Sequence, residues 1–534
     1  MVKRTLGLSL SLSLALTLTL APAPAARADE GMWLFNNPPR ELLQKRFGFS
    51  PSDEWLEHVQ KASVRFNSGG SGSFVSPDGL VMTNHHVAAD ALQKLSTKEH
   101  DYLKEGFHAR SRDQELKCVD LELNVLMSIE VVTDRVNAAV KPEMSPEEAF
   151  AARRKVIAEI EKESLDKTGL RSNVITLYQG AEYHLYRFKR YTDIRLVFAP
   201  EQQAAFFGGD PDNFEYPRWC MDVAFFRVYE DGKPAKTPHY LKWSKAGAKE
   251  GELVFVTGHP GRTSRLNTVA ELEYLRDVGF PFLMERLYRM EVNLSVFASE
   301  SPEHERRAKD ELFGIQNSRK ARSGGLAGLL DPSIMRRKAG EEKKLRAAVE
   351  SKPELKEARG AWETIAELQK KRAEIIRPYT MLEGEAGFNT IYFDIARTLL
   401  RAAEEKPKPN GERLREFQDS NLPSLEQQLF SEQPIYEDLE TTKLADALTH
   451  LCAVLGYENE LVQKVLAGKS PRERAAELVN GTKVGEVAVR KKLYEGGKEA
   501  LAQFGDPMIE LARLVDDESR RLRKVYDTEI DEVK

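Results

Sequence analysis

Apolar and polar residues follow two different rhythms in the two halves of this chain. In the first half the period is two: Leu123, Val125, Met127 and Ile129 alternate within 121–132 and predict a half-buried strand. Short apolar runs predict further strands at 80–82, 173–178, 191–198, 223–229 and 253–257. One charged helix interrupts them at 145–165, with Ser145 as cap, Pro146 first and Glu148 three residues on. Beyond about residue 272 strands vanish and the period becomes helical. Leu444, Leu448, Leu451 and Leu455 form an amphipathic stripe that Gly456 ends. Breaks expected at Pro302, Pro332, Pro353, Pro378, Pro407, Pro409 and Pro434 divide this region into several helices. The last begins at an Asp506 cap with Pro507 behind it and still reads as helix at Lys534. The expected class is α+β: a strand-rich domain over 29–272 and an all-helical domain over 273–534.

The most informative stretch lies among the strands. Gly69-Gly70-Ser71-Gly72-Ser73-Phe74 reads as a small-residue strand, Ser76-Pro77-Asp78-Gly79 as a type I turn, and 80–82 as the returning strand. That strand delivers Thr83-Asn84-His85-His86, with a helical turn expected at 88–92. A histidine at the end of a hairpin strand, just before a helical turn, resembles the general base of trypsin-like barrels. By that pattern His86 is the base and His85 its packed neighbour. Ser71 and Ser73 mimic a nucleophile loop, but they precede the histidine on a strand where small residues serve curvature.

Downstream, Asp222 stands immediately before the apolar run 223–229. A carboxylate there needs a partner, and an imidazole N–H is a suitable one. The other reading of Asp222 is a turn-capping residue at a strand start. Asp210 and Asp212 are alternatives, explained by turn formation in a Gly-Pro loop.

Composition narrows the picture. The chain has 534 residues, room for two or three domains, and a net charge of −5, which gives no overall basic field for nucleic acid. Residues 1–28 read as a signal peptide: Lys3 and Arg4, an apolar run over 6–20, and Ala26-Arg27-Ala28 for cleavage. No later run approaches the ~20 apolar residues of a membrane span. An exported protein, periplasmic or secreted, is expected. Its lead-in over 29–65 carries two short helical patches and is expected along the outside of the strand-rich domain. Cys118, Cys220 and Cys452 allow one disulfide or none, with Cys118 and Cys220 the candidate pair. No cysteine or histidine pair has zinc-site spacing, so neither metal nor cofactor is expected.

Taken together these blocks resemble the bacterial exported dipeptidyl-peptidase 7/11 family of serine peptidases. The matching residues are Gly31-Met32-Trp33, the Gly70 to His86 stretch, and Gly208-Gly209-Asp210 through Tyr216-Pro217-Arg218. Asp222 with Phe225-Phe226-Arg227, and Gly258-His259-Pro260-Gly261-Arg262-Thr263, complete the set. The resemblance implies a trypsin-like β-barrel peptidase with a large helical domain inserted between aspartate and serine. It implies His86 as base and Asp222 as its orienter. Asn213 would hold a substrate's free amine, Phe214 pack beside it, and Asn317, within Gln316-Asn317-Ser318-Arg319-Lys320, supply a further amine contact. The implied substrates are oligopeptides that lose dipeptides from their free N-terminus, and a homodimer is suggested. Three departures stand out: Val87 where the family has Cys, Phe214 where it has Trp, and no Gly-Asn-Ser-Gly-Ser-Pro nucleophile motif. No serine is therefore assigned as nucleophile, and the second barrel is expected to be incomplete. The expectation is a chain truncated before its serine. The alternative is an inactive peptide-binding pseudoenzyme, and a third reading, a periplasmic endopeptidase, is disfavoured by Asn213 and the helical insertion.

Overall fold

A computed structural model describes residues 31–261 and 264–534. The signal-peptide reading, and Arg262 and Thr263, lie outside the described residues. The described residues through Ser50, 31–50, form a unit of their own, with a helix at Arg40–Phe47; the described residues from Pro51 onward form a second. The second of the two helical patches expected in the lead-in, Asp53–Ala62, belongs to that larger unit.

Among the described residues of the larger unit, eleven strands form one antiparallel sheet. They are β1 (Ser63–Phe66), β2 (Ser71–Phe74), β3 (Leu80–Thr83), β4 (Phe107–His108), β5 (Leu116–Lys117), β6 (Leu123–Val131), β7 (Arg171–Leu177), β8 (Glu182–Tyr191), β9 (Asp193–Ala199), β10 (Ala224–Glu230) and β11 (Lys233–Pro234). Their hydrogen-bonded order is β4-β9-β10-β3-β2-β1-β6-β8-β7, with β11 on β10 and β5 on β9. Val64, Phe66, Phe74, Val81, Leu123 and Phe226 are buried together on its inner face. The β2–β3 turn follows its sequence: Ser76 Oγ accepts from the N–H groups of Asp78 and Leu80 at 3.3 and 3.2 Å. Gly79 is required there. Its φ is +78°, and an added Cβ would stand 2.7 Å from the Val228 carbonyl oxygen.

Helices occupy the remainder. The expected capping box forms at Ser145, where the helix runs Pro146–Thr168. The stripe residues Leu444, Leu448 and Leu451 are fully buried in the helix Glu437–Leu455, packed with Phe388, Phe393, Leu399 and Leu511. Asp506 caps the helix Pro507–Tyr526.

The structure corrects several sequence expectations. Residues 253–257 join no ladder; Val254 and Val256 are exposed, and Phe255 meets Trp55 edge-on at 5.3 Å. A strand needs a neighbour for its backbone groups; this run meets β1 through the Thr257 and Ser63 hydroxyls, 3.0 Å apart, but pairs its backbone with none of the described strands. The run 191–198 is split, because Tyr191 ends β8 and Asp193 starts β9. Pro378 does not break its helix but sits inside Ala361–Leu382 near the C-terminal end, where one lost hydrogen bond is tolerated. All three cysteines are free thiols: Cys118 is buried and Cys220 exposed, so the candidate disulfide does not form.

Candidate active site

Register brings the two halves of the site together. Thr83, the last residue of β3, pairs with Ala224, the first of β10, and the strands are antiparallel. Residues just after Thr83 therefore lie across from residues just before Ala224, which sets His85 and His86 against Asp222. The helix begins at His85, so His86 occupies its first turn rather than preceding it as expected. Asn84 stands at the cap position but does not cap; its Nδ2 donates to the Asp222 carbonyl at 3.1 Å and to Oδ2 at 3.3 Å.

His86 Nδ1 is 2.8 Å from Asp222 Oδ2, and the His86 backbone N–H donates to Oδ1 at 3.0 Å. The hydrogen bond to Asp222 raises the His86 imidazole above its ordinary value, against burial. Burial pushes the Asp222 carboxyl up, but the hydrogen bonds from the His86 ring and backbone outweigh it and leave it lowered. The His86 side chain is 56% exposed, so the ring is open to solvent on the side away from Asp222. His85 is buried instead, its imidazole driven down by desolvation. Ser71 does not face this pair: its Oγ accepts from the His259 N–H at 2.7 Å.

Asn213 lies in the loop between β9 and β10, just after the short turn Gly209–Asp212. That turn depends on Gly208 at φ +79°, where a Cβ would collide with the Asp212 carboxylate. The Asn213 side chain is buried, and its Nδ2 donates to Asn317 Oδ1 at 3.0 Å. Asn317 belongs to the helix Pro302–Leu330. The helix that carries His86 touches the same element, through Gln93 Nε2 to the Arg306 carbonyl at 2.8 Å. Phe214 is 62% exposed and holds a left-handed φ of +67°, uncommon for a bulky residue. The structure thus forms two pairs, His86–Asp222 and Asn213–Asn317, from residues up to 231 apart in sequence.

Arg218, Arg319 and Lys320 have no part that the sequence alone reveals. In the structure Arg319 Nη2 donates to Asp210 Oδ2 at 3.1 Å, and Lys320 Nζ to the carbonyls of Asp210, Pro211 (3.0 Å) and Asn213 (3.3 Å). The block's two adjacent cations were the available signal. An open groove of about 480 Å³ lies between helices, lined by Tyr288, Glu291, Val292 and Arg319 among others, away from the His86–Asp222 pair.

A hydrogen-bonded His–Asp pair at a strand end is an arrangement that can activate a nucleophile. The comparisons with known proteins agree with that class. The chain belongs to the peptidase S46 family, whose sequence profile matches residues 28–534. It is similar to Dipeptidyl-peptidase 7 of Phocaeicola vulgatus, 31% identical over 412 residues covering 72% of this chain and 57% of the relative. It is also similar to the Asp/Glu-specific dipeptidyl-peptidase of Shewanella putrefaciens, 32% identical over 422 residues, 74% of this chain and 56% of that one. The chain spans less than two thirds of the length of these relatives. Its fold matches DPP11 of Porphyromonas endodontalis, crystallised with the dipeptide Arg-Glu, with a TM-score of 0.73 at 22% identity over 95% of this chain and 75% of that one.

Proposed function

We propose that this chain carries the His–Asp half and the amine-binding part of an exported serine dipeptidyl-peptidase, acting on the free N-terminus of oligopeptides. The observation that carries the reading is the 2.8 Å His86–Asp222 hydrogen bond. In such an enzyme His86 takes the proton of a serine hydroxyl and returns it to the leaving amine. Asp222 holds the imidazole in one tautomer and stabilises the imidazolium. Asn213 and Asn317 supply carbonyl oxygens to a substrate ammonium, and the exposed Phe214 ring offers a face beside it. A clamp on the free amine explains release of dipeptides rather than internal cleavage. The strand-rich part is proposed as a trypsin-like barrel, and the helical region as the insertion that brings Asn317 to it.

A second reading is peptide binding without turnover, since the buried Asn213 and its partner Asn317 can hold an amine with no chemical step. One experiment separates them. The protein is incubated with an oligopeptide and its N-acetylated form, and products are identified by mass spectrometry. Dipeptide release from the free form alone, lost in His86→Ala, supports the peptidase. Saturable binding without release, weakened in Asn213→Ala, supports the second reading. Cleavage of the acetylated peptide, or unchanged affinity in Asn213→Ala, overturns the clamp.

A further inference from the structure

Tyr216-Pro217-Arg218 is among the blocks that carry the family resemblance, yet the clamp as described gives Arg218 no task. Its guanidinium makes four hydrogen bonds. Nη1 donates to Asn213 Oδ1 at 3.1 Å, Nε and Nη2 to the Phe207 carbonyl at 3.3 and 3.1 Å, and Nη2 to the Gly209 carbonyl at 3.5 Å. The guanidinium carbon sits 4.4 Å from the Phe206 ring centroid, and Phe206 in turn meets Phe313 of the helix Pro302–Leu330 at 4.7 Å.

A guanidinium has donors and no acceptor. The amide atom that Asn213 turns toward Arg218 must therefore be its oxygen. That choice turns Nδ2 toward Asn317, and a donor arriving there requires the Asn317 oxygen in reply, as the 3.0 Å contact has it. One cation thus orders two amides in series. Each carbonyl oxygen has two lone pairs and uses one in this chain. The second of each remains for an incoming donor. With either amide reversed, an N–H group would face the ammonium, which itself can only donate.

We propose that Arg218 is the positioning residue of the amine clamp: it fixes the amide orientation of Asn213, and through it that of Asn317, so that both oxygens present acceptors to a substrate's free N-terminus. This rests on the reading of Asn213 and Asn317 as that clamp. Lys320 does a different job. It holds the backbone carbonyls of Pro211 and Asn213, not the Asn213 side-chain amide. Arg218 acts on the side chain itself, and its cost as a nearby cation is reduced because two carbonyls and an aromatic face share its charge.

The test is calorimetric titration of trialanine and N-acetyl-trialanine, with the ratio of their affinities as the readout. Wild type prefers the free amine. Arg218→Met lowers the ratio about tenfold or more, the size of one charge-assisted hydrogen bond. In an Asn213→Ala background the same substitution changes the ratio no further, because the residue acts through Asn213. A wild-type ratio near one overturns the clamp and this inference with it. A wild-type preference that survives Arg218→Met leaves the clamp standing and removes Arg218 from it. An equal loss in both backgrounds shows action independent of Asn213 and overturns the inference as well. Circular dichroism checks the fold. If Arg218→Met is unfolded, Arg218→Lys takes its place: a partial fall confined to the Asn213 background supports the proposal, and an equal effect in both backgrounds refutes it.

Discussion

Asp222 grips His86 twice, through the ring at 2.8 Å and through the backbone N–H at 3.0 Å, so one carboxylate fixes both the place and the tautomer of the imidazole. Asn84, on the same strand end, ties down the Asp222 carbonyl.

Asp222→Asn removes the charge and lowers the His86 pKa, read from the pH titration of its imidazole Cε1 proton. The stability effect has a defined window. The raised imidazole contributes stability that is complete below the ordinary 6.5 and is lost as pH rises through its folded value. The lowered carboxyl contributes stability present above the ordinary 3.8 and lost as pH falls through its folded value. Wild type should therefore exceed Asp222→Asn most between 3.8 and 6.5, in urea melts across pH. A gap that widens toward alkaline pH contradicts the pairing.

Glu161 is buried with one oxygen on the Val174 N–H at 2.7 Å and the other, Oε2, without a hydrogen bond. Burial pushes its carboxyl up to about 7 from 4.5. A raised carboxyl favours the fold while protonated, and that benefit fades from 4.5 to about 7. Glu161→Gln should equal wild type at low pH and exceed it at alkaline pH by about 1–3 kcal/mol. Equal stability throughout would show that the ionised group is solvated.

The two ring nitrogens of His259 are buried without hydrogen bonds, and burial, aided by Arg65, holds the imidazole down at about 4. The unfolded chain takes up this proton from 6.5 downward, so the residue destabilises the fold between 6.5 and about 4. His259→Leu should lose less of its melting temperature on acidification than wild type does. Parallel losses would place the ring in water.

Asp506 is 2% exposed and accepts from Thr482 Oγ1 (2.9 and 3.0 Å) and from the N–H groups of Lys483, Met508 and Ile509 (2.7, 2.9 and 3.3 Å). Asp506→Ala removes a helix cap and strands buried donors, a loss of about 3–5 kcal/mol in denaturant melts. Asp506→Asn should lose less, since one acceptor remains. Equal losses would mean that charge alone matters.

Local chemistry made the caps at Ser145 and Asp506, the Ser76 to Gly79 turn, the buried leucines of 444–451 and the His86 hairpin legible in the sequence, because each depends on residues within a few positions. Asp222 was legible for the same reason: a charge at the head of an apolar strand asks for a partner. Tertiary structure alone decided the rest. The β3–β10 register carried both histidines to Asp222, across a separation that no local pattern spans, since pairing Thr83 with Ala224 involves residues 141 apart. The contact of Asn213 with Asn317 spans 104 residues and exists only because a helix packs beside the loop. Apolar pattern by itself made 253–257 a strand, yet a strand is a relation between two segments, and the pattern of one says nothing of the other. Arg218 gained its task in the same way: side-chain donors show in the sequence, but the acceptors they meet are chosen by the fold.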